Sequence, residues 1–212
     1  MKAANLICTM VLAMSSLAWA GMEEDVARIR QEWERVKYQV PAKEQEAAFE
    51  ALAKDSEKLV AQYPKQAEPA IWHGIIEASH AGAKGGLGAL DLVKQAKSEL
   101  EQALKLDAKA LDGSAYTSLG SLYYQVPGWP IAFGDDEKAE AMLKTALSLN
   151  PNGIDPNYFY GDFLVRKKRY QEAKVVLEKA LAAADRPARA SADAGRREEA
   201  RKLLKTVQAK LE

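Results

Sequence analysis

His73 and His80 are the two histidines of this 212-residue chain, and their spacing limits any metal chemistry. On a helix, seven residues of separation put both on one face but about 10 Å apart. A helical zinc pair sits four residues apart, so these read as ordinary polar or groove-facing histidines. Cys8, the single cysteine, lies in an apolar N-terminal stretch expected to be removed. That leaves no thiol nucleophile, disulfide or sulfur ligand. Residues 82–88 contain four glycines but lack the GxxxxGK(S/T) order of a phosphate loop, and they follow a helix rather than a strand. No GxSxG elbow occurs, and no Ser, His and Asp group stands out. The many Glu and Lys residues read as solvated helix faces. The chain is expected to be non-catalytic, with no metal and no cofactor. A hydrolase is the remote alternative, and it would need a polar cleft with two carboxylates of shifted pKa.

The residues best suited to gripping something are aromatic, because such side chains offer large rigid contact area. Tyr123, Tyr124, Trp129 and Phe133 fall in one stretch with Pro127, Gly128 and Pro130. A polar surface loop has no need of Trp and Phe. Either they fold back and plug the fold, or they line a binding surface; the sequence leaves both open. Tyr158, Phe159 and Tyr160 are consecutive on a predicted helix and point about 100° apart, so they cannot all enter one core. Tyr160 takes the packing slot, and Tyr158 is the candidate for the exposed role. Asp162 is a candidate polar lining residue. With Trp72 from an earlier helix, the candidate ligand- or partner-binding set is Trp72, Tyr123, Tyr124, Trp129, Phe133, Tyr158 and Asp162.

A helical repeat must position these candidates. Ala, Leu four residues later and Ala three after that occurs at Ala96-Leu100-Ala103, Ala139-Leu143-Ala146 and Ala173-Leu177-Ala180. Those offsets share one helical stripe. Tyr116-x-x-Leu119-Gly120-x-x-Tyr123 precedes the second copy, and Asn157, Tyr160, Gly161 and Leu164 precede the third. Both are first-helix signals of a tetratricopeptide hairpin, with Gly120 leaving room for the facing helix. No segment carries the alternating β-branched pattern of a strand. The expected fold is all-α: a tetratricopeptide-like helix-hairpin solenoid. Hairpins are expected at about 68–108, 112–151 and 155–185, after an N-terminal helix pair and before a C-terminal capping helix in 190–212. The first helix of the first hairpin is expected to fade after His80. Copies two and three are 34 residues apart, but copies one and two are 43 apart, from 96 to 139. The excess falls mainly between Tyr123 and Asp136, and a similar excess falls at Gly82 to Gly88. Both loops are expected to be neighbours flanking one end of the groove.

Lys2, the apolar stretch from Ala3 to about Leu17, and Ala18-Trp19-Ala20 read as an export signal cleaved after Ala20. Residues 21–212 then form one domain, and the periplasm is the expected compartment. The stretch falls short of the roughly 20 apolar residues that span a bilayer, so no membrane span is expected in the mature chain. The 30 Lys and Arg balance the 30 Asp and Glu, and loss of Lys2 leaves a net charge near −1. Such balance gives no electrostatic footprint for nucleic acid or an anionic membrane.

The run from Tyr124 to Phe163, YQVPGWPIAFGDDEKAEAMLKTALSLNPNGIDPNYFYGDF, resembles the T-component proteins of TRAP (tripartite ATP-independent periplasmic) transporters. They share its VPGWP, FGD, Ala-Leu-Ala, NP and D-x-NYFY elements in this order. The resemblance is strong over roughly Leu100 to Ala184. It implies an all-helical fold with a hydrophobic cleft or pore and a periplasmic solute-binding protein as partner. It also admits an apolar small ligand and a homotrimer. The expected function is a binding or scaffold component accessory to such a transport system. The alternative is an envelope-assembly scaffold that binds only other proteins.

Overall fold

The computed structural model describes the backbone of residues 2–212 and the side chains of residues 20–212. Met1 and the side chains of residues 2–19, on which the export-signal expectation falls, lie outside the described residues. The helices in chain order are α1 Lys2–Gln39, α2 Ala42–Gln62, α3 Ala67–Lys84, α4 Leu90–Leu106, α5 Ala110–Gln125, α6 Asp136–Leu149, α7 Ile154–Arg166, α8 Tyr170–Ala182 and α9 Ala190–Leu211. Among the described residues there is no strand, only an isolated bridge between Gly128 and Gly134. The fold is an all-α, tetratricopeptide-like solenoid. No helix among these residues is long and apolar enough to cross a membrane.

Each hairpin closes on one glycine. A Cβ at Gly74 of α3 would lie 2.7 Å from Leu100 Cγ, one at Gly120 of α5 would lie 2.7 Å from Leu143 Cγ, and one at Gly161 of α7 would lie 2.6 Å from Leu177 Cδ2. Each leucine is the middle residue of an Ala-Leu-Ala copy, and all nine residues of the three copies are fully buried. Any larger side chain at the glycine would push the helices apart.

The connections differ in part from the sequence expectation. Helix α3 does not fade at His80 but continues to Lys84. Ala81, Ala83 and Lys84 favour helix, and one glycine among them does not outweigh that preference. The break falls instead at Gly85 and Gly86, whose φ values of +65° and +60° suit glycine. A single 3-10 turn, Leu87–Ala89, then leads into α4. The second loop is firmly tied. Gly134 N donates to Pro127 O at 2.9 Å, Asp135 N to Tyr123 O at 2.8 Å and Ile131 N to Gly128 O at 3.1 Å. Asp135 caps α6, its Oδ1 accepting from Glu137 N at 3.1 Å and Lys138 N at 3.0 Å.

Helix α9 does more than cover the last apolar face. It packs on α7 and α8 and also reaches back to α1. Ala192 belongs to the same core as Ile29, Trp33, Val36 and Phe49. Gly195 passes so close to α1 that a Cβ there would lie 2.3 Å from the Tyr38 ring. Gln39 Nε2 donates to Ser191 Oγ at 3.2 Å, and Arg189 Nε to Glu34 Oε1 at 3.1 Å. First and last helices therefore meet across the concave side of the solenoid.

Candidate functional site: an arginine-walled cavity

Between the inner helices lies a partly open cavity of about 680 Å³. Its walls come from one face of each inner helix: Arg30, Trp33 and Lys37 of α1; Ile75, Ser79 and Gly82 of α3; Ser114, Ser118, Ser121 and Gln125 of α5; Tyr158, Phe159, Asp162 and Arg166 of α7; and Arg196 and Glu199 of α9. Steps of three and four residues keep most of each set on one side of its helix, with Tyr158 and Phe159 adjacent on α7. Arg186 and Arg189 join from the turn that precedes α9.

Asp155, near the start of α7, is the centre of an ionic network. It accepts from Arg186 Nη2 and Arg196 Nε, both at 3.0 Å, with Arg189 Nη1 at 3.7 Å. Burial alone would raise its pKa. The charges of Arg196, Arg189 and Arg186 overcome that and hold it down at about 2. Arg186 also grips the buried Asp193, and Arg196 Nη1 contacts Glu199 at 2.6 Å. The Arg196 guanidinium lies 4.5 Å from the Tyr158 ring centre and 4.6 Å from that of Phe159. Burial pushes the Tyr158 hydroxyl up to about 12, with Arg196 opposing.

The candidate residues separate into two groups. Trp72, Tyr158 and Asp162 line the cavity. Trp72 is 4% exposed, packs edge-on to Trp33 at 5.8 Å and lies under Arg189 at 5.5 Å. Asp162 accepts from the Tyr124 hydroxyl at 2.8 Å and faces Arg166 Nε at 3.5 Å. Tyr123, Tyr124, Trp129 and Phe133 do not line it. Tyr123 and Tyr124 are buried; Tyr123 meets Phe133 edge-on at 5.7 Å, and Lys97 sits 5.7 Å over the Phe133 ring. Trp129 stands 90% exposed, with Ile131 at 58%. The loop is therefore neither wholly plug nor wholly surface: its two ends pack inward, and its tip points out. The cavity also differs from the hydrophobic cleft that the resemblance implied. Its arginines and carboxylates would be stripped of water by a purely apolar ligand, which is costly.

Sequence reasoning does not reach the arginines of this wall. The run Asp185-Arg186-Pro187-Ala188-Arg189 reads only as a break, and α9 only as a charged cap. Their signal is weak because their partners are remote: Arg189 and Glu34 are 155 residues apart.

The histidines lie elsewhere. His73 is buried, with Nδ1 2.8 Å from Ser56 Oγ, itself fully buried. His80 helps line a second cavity of about 410 Å³ with Glu50, Glu57, Glu77, Lys84 and Asp91. Burial, reinforced by Glu57 and Glu99, raises the Glu77 carboxyl to about 7. Glu99 shifts the same way, by burial and then by Glu57. Among the described residues no group of three or more His, Cys, Asp or Glu is placed to hold a metal.

A family model described as a tetratricopeptide repeat matches residues 131–192. The fold is tetratricopeptide-like. Among solved structures, one described as the crystal structure of MamA shares 21% identity with this chain, covering 79% of it and 91% of that chain at a TM-score of 0.45. No curated protein matches. The repeat match runs from the loop tip at Ile131 through α6, α7 and α8 to the start of α9, so it takes in the third glycine-leucine hairpin and only the second helix of the one before it.

Proposed function

We propose that this tetratricopeptide-like protein is a non-catalytic scaffold that docks a protein partner through the tip of the 126–135 loop. The observation that carries this reading is Trp129. It is held 90% exposed on a loop whose other aromatic residues are anchored. A large exposed ring on a rigid support loses little conformational freedom on binding, and tryptophan is enriched among the residues that dominate interfaces.

The resemblance of residues 124–163 to TRAP T-components, together with the export-type N-terminus, supports a finer reading. In it the protein is an accessory component of a TRAP-type transport system in the periplasm, and its partner is the solute-binding protein. Native mass spectrometry of the mature protein from its own periplasm tests both levels. A stoichiometric solute-binding protein is expected with the wild type and is expected to be lost in Trp129→Ala. The loop tip makes little contact with the core, so Trp129→Ala should change stability by less than about 0.5 kcal/mol. A large loss of thermal stability in that variant would make Trp129 a core residue and sink the docking reading. Envelope-assembly proteins in place of the solute-binding protein would overturn the transport assignment and keep the scaffold.

A further inference from the structure

The second cavity, of about 410 Å³, is walled by Glu50, Lys54 and Glu57 of α2, Glu77, His80 and Lys84 of α3, and Asp91 of α4. Its charges do not balance. Lys54 holds Glu50 at 2.8 Å, Lys84 holds Glu46 at 3.0 Å and Lys94 holds Asp91 at 3.1 Å. Among the described residues no lysine or arginine bridges Glu57 or Glu77, nor Glu99 of α4, whose charge is felt at Glu77. Three carboxylates on three neighbouring helices are thus left over once every local lysine is assigned. Like charges so placed disfavour one another unless a cation or a proton joins them.

Two of the polar side chains in this wall are buried without partners. Glu77 is 5% exposed and His80 6%. Glu77 Oε2 and His80 Nδ1 are closed off from solvent and lie 3.8 Å apart, too far for a hydrogen bond. The other polar atoms of the pair, Glu77 Oε1 and His80 Nε2, also lack a partner but are not closed off, and both side chains line the cavity. Buried polar groups are nearly always paired, so these open atoms call for a donor. Burial, then Lys84, disfavours the charged form of His80. The neighbouring Glu77 carboxylate favours the tautomer with its proton on Nδ1, which leaves Nε2 as an acceptor toward the cavity.

We propose that this cavity binds the primary ammonium of a small alkylamine. Its three N–H groups donate to Glu77 Oε1, His80 Nε2 and the Glu57 carboxylate, and its alkyl stem lies against Ala53 and Leu92, which line the same cavity. The ammonium supplies positive charge where the local lysines leave carboxylates unmatched. A metal ion needs its ligands within about 2.6 Å, and among the described residues no group is placed to hold one. An ammonium accepts a wider site, because its charge-assisted hydrogen bonds run to about 2.8 Å. The inference goes beyond the docking reading: Trp129 and Ile131 line no part of this cavity, so either can fail alone.

The test is a calorimetric titration of the purified full chain at pH 8 with butylammonium. Tetramethylammonium carries the same charge without an N–H, and butan-1-ol carries no charge. The methylamide of Nα-acetyl-lysine presents the same ammonium as a protein side chain would. Saturable binding of butylammonium is expected, with each of these three about tenfold weaker or more. Glu77→Gln should weaken butylammonium binding about tenfold, and the exposed Glu57→Gln about threefold, without lowering the melting temperature. Glu77 titrates at about 7, so protons compete with the amine, and wild-type binding should weaken about tenfold from pH 8 to pH 6. In Glu77→Gln that dependence should be largely lost. Four outcomes each overturn the proposal: butylammonium not saturating below about 10 mM, tetramethylammonium binding as tightly, Glu77→Gln binding like wild type, or the lysine derivative binding more tightly, which would assign the cavity to a partner's lysine. No partner protein enters the titration, so its failure leaves the scaffold reading standing.

Discussion

Inside the hairpins, a leucine of one helix fills the space that a glycine leaves on its neighbour. Between α9 and the α1 and α7 helices it meets, arginines bridge carboxylates instead. The first kind of seam recurs at Gly74–Leu100, Gly120–Leu143 and Gly161–Leu177. The second is built around Asp155, with Glu34 and Asp193 at its flanks. Packing seams are dry and local in the chain. The ionic seam joins residues far apart in sequence and leaves charged groups facing a cavity. A buried ion network adds less net stability than packing of the same size, but removing one member strands the others. The difference places a rigid frame beside a wall of paired charges.

That contrast can be broken from either side. Gly120→Leu should have the largest effect. A Cβ at this position would lie 2.7 Å from Leu143 Cγ and 3.2 Å from Leu143 N, so a leucine has no room and the middle hairpin should lose at least about 3 kcal/mol. Thermal melting near wild type would contradict the shared glycine seam. Asp155→Ala should cost about 3 kcal/mol by removing the carboxylate that Arg186 and Arg196 share and leaving them only Asp193 and Glu199, while the helical content of the hairpins persists. Circular dichroism and chemical denaturation check this, and a cost below about 1 kcal/mol would mean that the seam is held by packing after all.

Acidity sharpens the same comparison, because two carboxylates respond in opposite directions. Asp155 is held at about 2, below its ordinary 3.8, so the native state binds fewer protons than the unfolded chain between those values. Its contribution is complete above about pH 4 and is lost as pH falls toward 2. Asp155→Asn should flatten that part of the stability curve. Glu77 sits beside the packed α3–α4 seam and is raised to about 7 from 4.5, so the native state there binds more protons. Stability should fall as pH rises through that window. Glu77→Gln should raise Tm by a few degrees at pH 8 and by less at pH 5. An equal gain at both pH values would show that burial of charge is not the cause.

The packing seams are legible in the sequence because their chemistry is periodic. Alanines and a leucine at fixed offsets announce a helix face, and Gly120 and Gly161 announce the facing one. Gly74 is harder to recognise as their equivalent, because His73 and Trp72 replace the Leu or Tyr that precedes the other two glycines. The candidate site is only partly legible. Helical spacing reaches Tyr158 and Asp162, and Trp72 stands out as an aromatic on an inner helix. The arginines of the wall stay hidden, since nothing periodic links Arg30 to Arg189 or Asp155 to Arg196. Their association depends on α9 returning to α1, which is a property of accumulated superhelical curvature, not of any local pattern. Tyr123, Tyr124 and Phe133 share composition with Trp129, and only the backbone path of the loop separates the anchored rings from the displayed one.

The meeting of α1 and α9 also orders the events of folding. Each hairpin joins neighbours in sequence and closes a short loop, so it can form early. The contact between Glu34 and Arg189 spans 155 residues and carries the larger entropic cost of loop closure. It can form only once the hairpins between them are stacked. A chain stopped before α9 would keep its glycine seams, with α1 packed on α2 and α3 alone. The cavity is therefore completed at the final step of assembly, as a product of the whole array rather than of any one repeat.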